Sequence, residues 1–371
     1  FEKKMKILVL GGTGAIGSHL VELLKNQAGY SIAVTSRSKR DDVKNIKYIC
    51  GNAYDDVFIS DLLKANYDVI VDFMSYKTES FRYRYSKFLE HCGQYVFLSS
   101  ARVYADNGDK AITEESPLLL DMIKDKAYLR TDEYALTKAR QENILRASHK
   151  NNYTIIRPYI TYSENRLQLG VLEKEYWLYR VLHGRSIVFS NDIADKMTTL
   201  TYGKDVSRSI CTLLGRHEAM GEAFHITGEN FLKWSDVLDI YLKTLEKATG
   251  KCPRIVMTRE STRLKYPEAK WQVVYDRYFN RMFDNSKIGR FVNIKKFTTP
   301  SKGLTHCLMS FLNNPQFRTL NWKEEALYDA ICHETAPSSE SVSFQYKMYR
   351  KMPQLLLMDR LKQHLKMLIK G

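Results

Sequence analysis

The stretch Ile7-Leu-Val-Leu-Gly11-Gly-Thr-Gly14-Ala-Ile-Gly17 decides the fold of this chain. An apolar run of this length is typical of a buried parallel strand, and it ends directly in glycines. Residues 18–26 then place leucines at helical spacing. A strand, a glycine turn and a helix in this order predict a site for a dinucleotide, whose phosphates would meet the helix N-terminus.

Each glycine of the motif has a separate expected use. Gly11 permits the tight turn, Gly14 lets the backbone approach a pyrophosphate, and Gly17 lets the helix pack closely on the strand. The spacing is Gly-x-x-Gly-x-x-Gly, and the alternative is a glycine-rich turn without a ligand. The cofactor-binding residues predicted in this turn are Gly11, Thr13, Gly14, Ala15, Ile16 and Gly17.

Length and composition indicate a globular protein with one large domain and a smaller one. The chain has 371 residues, of which 44% are hydrophobic and 12% aromatic. Its six cysteines form neither Cys-x-x-Cys nor another metal-ligand spacing, so no metal site is predicted and reduced thiols are expected. Without a visible signal peptide or membrane-length apolar run, a cytoplasmic location is expected.

The positive charge is unevenly distributed along the chain. The net charge is +15 overall, but +3 over residues 1–150, +8 over residues 251–300 and +5 over the last 35 residues. The basic excess therefore lies outside the predicted cofactor half. Such a surface attracts polyanions, whether a diphosphate substrate, nucleic acid or an anionic membrane.

Strand-like and helical segments alternate after the glycine turn. Further strands are predicted at Ser31–Thr35, Ile46–Cys50, Val69–Phe73, Tyr95–Ser99 and Thr154–Ile156, with helices that include Phe58–Ala65, Thr78–His91 and Thr131–His149. This alternation predicts an α/β fold with a Rossmann-type, doubly wound parallel sheet. Ligands bind at the carboxyl ends of such strands. The cofactor residues predicted there are Ser36, Arg37, Asn52, Ala53, Phe73, Ser75 and Pro158.

Tyr134 and Lys138 are four residues apart on a predicted helix and therefore share a face. A nearby ammonium group stabilises a phenolate, which suits Tyr134 to exchange a proton with a substrate hydroxyl. Lys138 is also expected to bind the nicotinamide ribose. The pair Ser99-Ser100 is expected to supply a hydroxyl that holds the same substrate oxygen as Tyr134. Because Tyr-x-x-x-Lys is a common spacing, an ordinary surface pair is the alternative.

Five segments in order resemble the extended short-chain dehydrogenase/reductase family, the nucleotide-sugar epimerases and dehydratases. They are the glycine turn, Ser99-Ser100-Ala-Arg-Val-Tyr104, Tyr134-x-x-x-Lys138, Ile156-Arg157-Pro158 and Gly221-Glu-Ala-Phe-His-Ile-Thr-Gly228. The resemblance runs from residue 5 to about residue 315. It implies that Tyr134 is the acid/base, Lys138 its partner and Ser100 the neighbouring hydroxyl, with Ser99 a strand-end residue.

Departures from the family pattern bear on cofactor and reaction. Arg37 stands where members that prefer NAD often have Asp, which favours NADP slightly over NAD. Asn52 replaces an Asp that is frequent beside the adenine. Ala101-Arg102 replaces the Asp-Glu of the family's dehydratases, and Thr131 is expected only as a helix cap. The missing acid pair argues against dehydration. The resemblance favours an epimerase by frequency, whereas Arg37 favours the alternative, an NADPH-dependent ketoreductase.

Three regions are expected. Residues 5–158, completed by parts of 195–230, form the Rossmann domain; 159–335 form an interleaved, smaller α/β substrate-binding region; and 336–371 form a basic amphipathic tail. Arginines could hold a diphosphate by paired hydrogen bonds, although solvated surface arginines are the alternative. The substrate-binding residues predicted are Ser100, Arg102, Tyr134, Arg185, Arg277 and Arg281.

The predicted partners are a nucleotide-diphosphate sugar and, by resemblance, a second copy of the chain docked through the helix at residues 131–149. The tail places Leu357, Leu361, Leu365 and Leu368 on one helix face beside lysines. It either packs on protein or associates weakly with an anionic membrane, at its inner face. No aromatic-rich basic motif for RNA is present, so nucleic acid is not expected. An RNA-binding or cofactor-sensing protein on the same fold is the alternative from a different class.

Overall fold

The computed structural model describes residues 4–265, 269–337 and 343–370, without the side chains of residues 363, 364 and 366–370. The chain divides into two compact units. The first comprises Phe1–Ser163, Thr199–Asn230 and Phe283–Pro300, and the second comprises Glu164–Thr198, Phe231–Met282 and Ser301–Gly371. Residues 283–300 therefore join the first unit, and the C-terminal segment joins the second.

A seven-stranded parallel sheet forms the centre of the first unit. Its strands are β1 Met5–Leu10, β2 Tyr30–Ser36, β3 Ile46–Cys50, β4 Tyr67–Asp72, β5 Cys92–Leu98, β6 Tyr153–Pro158 and a last strand Glu222–Ile226. Their spatial order is the last strand, β6, β5, β4, β1, β2 and β3. The order reverses at β1, so the predicted doubly wound Rossmann-type sheet is confirmed.

β1 lies at the centre of the sheet because its apolar run can be buried on both faces. Ile7 and Val9 pack into one hydrophobic core cluster, whereas Leu8 and Leu10 pack into another. All four side chains are fully buried. Successive strand residues point to opposite faces, so a continuous apolar run suits a parallel sheet that is covered on both sides.

The helices of the first unit surround this sheet. They are Gly17–Leu24, Asp56–Leu63, Thr78–Arg82, Tyr85–Glu90, Leu119–Met122, Lys126–Leu129, Tyr134–Arg146 and Gly203–Leu213. The single helix predicted over residues 78–91 is wrong, because the helix is interrupted at Tyr83 and Arg84. Arg84 is drawn inward, where its guanidinium donates to the carbonyl oxygens of Ala53, at 2.9 Å, and Tyr54.

The predicted cap of the Tyr134–Arg146 helix is also wrong. The N-cap residue is Glu133, whose carboxylate accepts a hydrogen bond of 2.9 Å from the backbone N–H of Ala135. Thr131 lies outside the helix, and its hydroxyl donates to the carbonyl oxygen of Tyr128 at 2.7 Å. Thr131 is the residue type that usually caps a helix, but the structure uses Glu133.

The segment after residue 199 completes the cofactor half, because the Gly203–Leu213 helix packs against the Gly17–Leu24 helix. The Ser207 hydroxyl donates to the carbonyl oxygen of Ile16 at 2.8 Å. A Cβ atom at Gly203 would collide with the carbonyl oxygen of Ala15. The glycine turn is therefore supported from behind by a second helix.

The second unit contains small strand pairs and several helices. Ile187–Ser190 pairs in parallel with Ile255–Thr258, and Gln168–Leu169 pairs antiparallel with Leu172–Glu173. Its helices include Lys174–Leu182, Asn191–Ala194, Trp234–Thr249, Lys270–Gln272, Pro300–Asn313, Trp322–Cys332, Phe344–Lys351 and Pro353–Lys370. In the parts of the chain that the structure describes, no helix has both the length and the apolarity needed to cross a membrane.

The C-terminal helix packs on its own unit through a face that differs from the predicted one. Leu356 is buried in a cluster with helix Trp322–Cys332, and Arg360 forms an ion pair with Glu324. On the predicted apolar face, Leu361 and Leu365 are 42% and 48% exposed. Leu368 lies outside the described side chains. Association with an anionic membrane stays a prediction.

Candidate active site

The glycines of the turn have two different uses. Gly11 and Gly17 are required by the fold, whereas Gly14 leaves open space beside the turn. Gly11 has a left-handed φ of 73°, and a Cβ at Gly17 would lie 2.8 Å from the backbone of Gly11 and Gly12. A Cβ at Gly14 would meet only the carbonyl oxygen of Gly11, at 3.8 Å. Gly14 and its neighbour Thr13 are exposed. The open space beside Gly14 fits the approach of a pyrophosphate.

The helix that follows the turn presents its N-terminus to the same space. Ile16 is the N-cap residue, and no described side chain caps the helix there. The backbone N–H groups and the dipole of such a helix end favour an anion. The side chain of Ile16 lies in the core, so among the predicted residues Ile16 would contact a dinucleotide only through its backbone.

A cavity of about 260 Å³ continues from the turn past the ends of β2 and β3. It is lined by Gly11, Thr13, Thr35, Ser36, Arg37, Gly51, Asn52, Ala53, Tyr54 and Met74. Of the predicted cofactor residues, Arg37 and Asn52 are exposed on its wall and Ala53 is buried. Phe73 packs under the turn, where its Cβ would be 3.3 Å from a Cβ at Gly11.

Tyr54 and Met74 line this cavity although the sequence did not suggest them. The hydroxyl of Tyr54 donates to the carbonyl oxygen of Ser75 at 3.1 Å, so it bridges the loops after β3 and β4. Its ring meets Tyr76 edge to face at 5.9 Å. Only their positions in the sequence could have suggested them. Tyr54 directly follows Ala53, and Met74 lies between Phe73 and Ser75, all of which are predicted cofactor residues.

The three predicted catalytic residues converge at the end of β5. Tyr134 is the first residue of its helix and is 41% exposed. The Lys138 ammonium lies 5.9 Å from the centroid of the Tyr134 ring and donates to the carbonyl oxygen of Leu98 at 2.6 Å. Leu98 ends β5, two residues before Ser100. One buried lysine thus connects the tyrosine helix to the serine loop.

Ser99 and Ser100 have different surroundings. Ser99 is fully buried and its hydroxyl donates to the Glu142 carboxylate at 2.5 Å. The Ser100 hydroxyl accepts a hydrogen bond of 3.2 Å from the backbone N–H of Arg102. Ser99 therefore joins the Tyr134–Arg146 helix to the strand end. Contact of Ser100 with a substrate stays a prediction.

Buried charges surround Lys138. Burial lowers the pKa of Lys138 to about 8, whereas the carboxylates of Asp72 and Glu142 oppose that shift. Burial also raises the pKa of Asp72, which accepts hydrogen bonds from the Tyr95 hydroxyl at 2.8 Å and the Met74 N–H at 2.9 Å. With a pKa near 8, Lys138 is mostly charged at neutral pH and can act on Tyr134.

The carboxylate of Glu142 anchors the same helix from its next turn. Burial alone would raise the pKa of Glu142, but the charge and hydrogen bonds of Arg157 hold it below the usual range. Arg157, on β6, donates to Glu142 at 2.9 and 2.6 Å. The sequence missed Asp72 and Glu142, since each is a lone acid whose role depends on distant partners. Pro158 is buried at the end of β6.

The predicted substrate arginines of the second unit are all buried in ion pairs. Arg185 pairs with Glu325 at 3.2 Å and Asp329 at 3.0 Å, and Arg281 pairs with Asp276 at 2.9 Å. Arg277 pairs with Asp276 too. The alternative of solvated surface arginines is therefore wrong, because carboxylates hold these guanidiniums inside the unit. Contact with a diphosphate stays a prediction.

The comparisons with known proteins agree with this geometry. The model of the NAD dependent epimerase/dehydratase family matches residues 7–227, from the glycine turn to the last strand of the sheet. The chain belongs to this family. It is 27% identical over 261 residues to the chloroplast stem-loop binding protein of 41 kDa b from Arabidopsis thaliana. That match covers 66% of this chain and 63% of the relative, under two thirds of its length.

Solved structures share the fold at low sequence identity. The UDP-glucuronic acid 4-epimerase of Bacillus cereus, in complex with NAD, is 19% identical with a TM-score of 0.59 and coverage of 81% of this chain and 96% of that chain. The dTDP-glucose 4,6-dehydratase of Bacillus anthracis, in complex with NAD, is 20% identical with a TM-score of 0.64 and coverage of 84% and 97%. These likenesses establish the fold.

Two alanine substitutions in the glycine turn should separate binding from folding. Gly14→Ala should leave the free energy of unfolding nearly unchanged, since its Cβ meets no close atom, yet weaken NAD(P) binding at least about tenfold, or 1.4 kcal/mol. Gly17→Ala should destabilise the fold by about 1–3 kcal/mol, because its Cβ meets backbone. Chemical denaturation and cofactor titration measure both effects. Unchanged binding in Gly14→Ala would contradict this placement of the phosphates.

Proposed function

We propose that this protein is an epimerase of a nucleotide-diphosphate sugar that works by transient hydride transfer. The observation that carries the proposal is the Lys138 contact to Leu98, which places Tyr134 and Ser100 at one strand end. The open glycine turn follows β1, two strands away in the same sheet. Fold relatives with nucleotide-sugar substrates in their names support this substrate class.

The chain's own residues would perform the proton transfer. Tyr134, as phenolate, takes the proton of a substrate hydroxyl, and Ser100 holds the same oxygen by a hydrogen bond. The charge of Lys138 stabilises the phenolate. A bound nicotinamide supplies a hydride acceptor that also returns the hydride. The keto sugar rotates, so the hydride returns to its other face. Tyr134 then returns the proton to the sugar oxygen, and no net oxidation results.

The residues of the glycine turn and of the adjoining cavity fit a dinucleotide but do not distinguish NAD from NADP. Gly11, Gly14 and the helix N-terminus would hold the pyrophosphate. Arg37 lies on the cavity wall, where its charge would favour a 2′-phosphate. Arg37 supports NADP, whereas fold relatives bound to NAD support NAD. An NADPH-dependent ketoreductase of nucleotide sugars is the alternative reaction. Net consumption of NADPH distinguishes it from an epimerase.

Tyr134→Phe should lower kcat by about 10²–10⁴-fold, the usual contribution of an acid/base group, because phenylalanine cannot transfer the proton. NAD(P) binding should remain within about twofold, since the glycine turn is untouched. The measurement is product formation from UDP-, GDP-, CDP- and dTDP-sugars by NMR. Tyr83→Phe, which alters a well-exposed tyrosine, is the matched control. Retained turnover in Tyr134→Phe would refute the assigned role.

Nucleic-acid binding is the second candidate, and two observations favour it. The curated relative from Arabidopsis thaliana is named a stem-loop binding protein. In the first unit, residues 286–296 carry Lys287, Arg290, Lys295 and Lys296 and no acidic residue. Most of this segment lines a surface cavity of about 670 Å³. Basic groups on such a surface suit phosphate contacts.

The triple variant Arg290→Ala/Lys295→Ala/Lys296→Ala should weaken binding of an RNA stem-loop. Each lost phosphate contact should also reduce the slope of log K against log salt by roughly 0.7–0.9. Fluorescence anisotropy over a salt series measures both quantities, and Tyr134→Phe should leave them unchanged.

The matched control replaces three exposed cations elsewhere in the first unit, Lys64, Arg82 and Lys126, by alanine. This control removes the same formal charge from a different surface. Equal loss in both triple variants would assign RNA binding to net charge alone. Absence of binding by the wild-type protein at moderate salt would exclude this second function.

A further inference from the structure

An ion pair joins the two loops that carry the catalytic residues. Arg102 follows Ser100 by two residues, and Glu133 immediately precedes Tyr134. The Arg102 guanidinium donates to the Glu133 carboxylate at 2.7 Å, and the two side chains are only 10% and 12% exposed. The pair therefore spans from the turn after β5 to the start of the catalytic helix, largely shielded from solvent.

Each partner of this pair is itself held by further hydrogen bonds. Glu133 accepts from the N–H of Ala135 at 2.9 Å and from the hydroxyl of Tyr128 at 2.8 Å. The backbone N–H of Arg102 donates to the Ser100 hydroxyl. Because both ends are fixed, the ion pair has a defined position relative to Ser100 and Tyr134.

Tyr134 consequently lies near two cations, and its chain neighbour Glu133 carries a carboxylate. The guanidinium carbon of Arg102 lies 5.7 Å from the ring centroid, and the Lys138 ammonium lies 5.9 Å away. Glu133 precedes Tyr134 in the chain and offsets part of the charge of Arg102. Asp72 and Glu142 act on Lys138, and Arg157 and Arg146 in turn pair with Glu142.

We propose that Arg102, held in place by its ion pair with Glu133, is a second cation beside Lys138 that favours the phenolate of Tyr134. The inference rests on the proposed function of Tyr134.

An electrostatic role and a purely mechanical role make opposite predictions. Arg102→Leu leaves the Glu133 carboxylate beside Tyr134, which disfavours the phenolate. Glu133→Gln leaves the Arg102 charge uncompensated, which favours the phenolate, and its amide oxygen can still cap the helix. If the pair only held the two loops together, both substitutions would loosen Tyr134 in the same way.

The experiment is a pH titration of tyrosinate absorbance in the full chain. Each variant is measured against the same variant that also carries Tyr134→Phe, so that the difference reports Tyr134 alone. Arg102→Leu should move the ionisation of Tyr134 up by roughly one pH unit, and Glu133→Gln should move it down by roughly half a unit. Arg102→Lys should keep it near the wild-type position.

Shifts of opposite sign support the inference, and shifts of the same sign or no shift overturn it. If Arg102→Leu does not fold, Glu133→Gln decides the question by itself: a downward shift supports the role of Arg102, and an upward or absent shift overturns it. The titration needs neither substrate nor cofactor. Opposite shifts in a protein that converts no nucleotide sugar would refute the proposed function and leave this inference standing.

Discussion

The buried ammonium of Lys138 is the interaction on which the active-site arrangement depends. A buried charge is costly unless it is paired and hydrogen-bonded. Here the carbonyl oxygen of Leu98 accepts its hydrogen bond, and the Phe97 ring lies 4.7 Å away. The carboxylates of Asp72 and Glu142 favour its charged form. Satisfying this charge therefore fixes the catalytic helix against the carboxyl ends of β4 and β5.

The same helix is held a second time, one turn further on. Glu142 accepts hydrogen bonds from Arg157 on β6 and from Ser99 at the end of β5. Removing one partner would leave the other buried without compensation, which usually costs several kcal/mol. The serine loop, the tyrosine helix and two strands are thus connected through buried charges. Such rigidity is what the proposed role of Tyr134 and Ser100 in holding one substrate oxygen would require.

Much of the fold could be predicted because parallel strands and glycine turns have strong local signals. β1 follows from a continuous apolar run, and the glycine turn after it follows from the spacing of Gly11, Gly14 and Gly17. Tyr134 and Lys138 follow from helical periodicity together with resemblance. The helix break at Arg84 and the cap at Glu133 did not follow, because both depend on partners distant in sequence.

The electrostatic shell of the site shows the same limit. Asp72, Glu142 and Tyr54 occupy places that only the folded sheet defines, and a single acid or aromatic residue carries no spacing signal. From the sequence, the arginines at 185, 277 and 281 are predicted to hold a diphosphate, with solvated surface arginines as the alternative. In the fold these arginines are buried, and they form ion pairs with carboxylates of the second unit. Local pattern thus supplies candidates for the reacting groups, and tertiary contacts determine the charges around them.

The most direct test of the account is to denature the purified protein and identify any released dinucleotide by mass and absorbance. The hydride-transfer mechanism predicts stoichiometric bound NAD, as expected of an epimerase that recycles its cofactor. Otherwise, it predicts a site that binds added NADPH or NADH tightly. A protein that neither retains nor binds any nicotinamide dinucleotide would contradict the hydride-transfer mechanism and move nucleic-acid binding to first place.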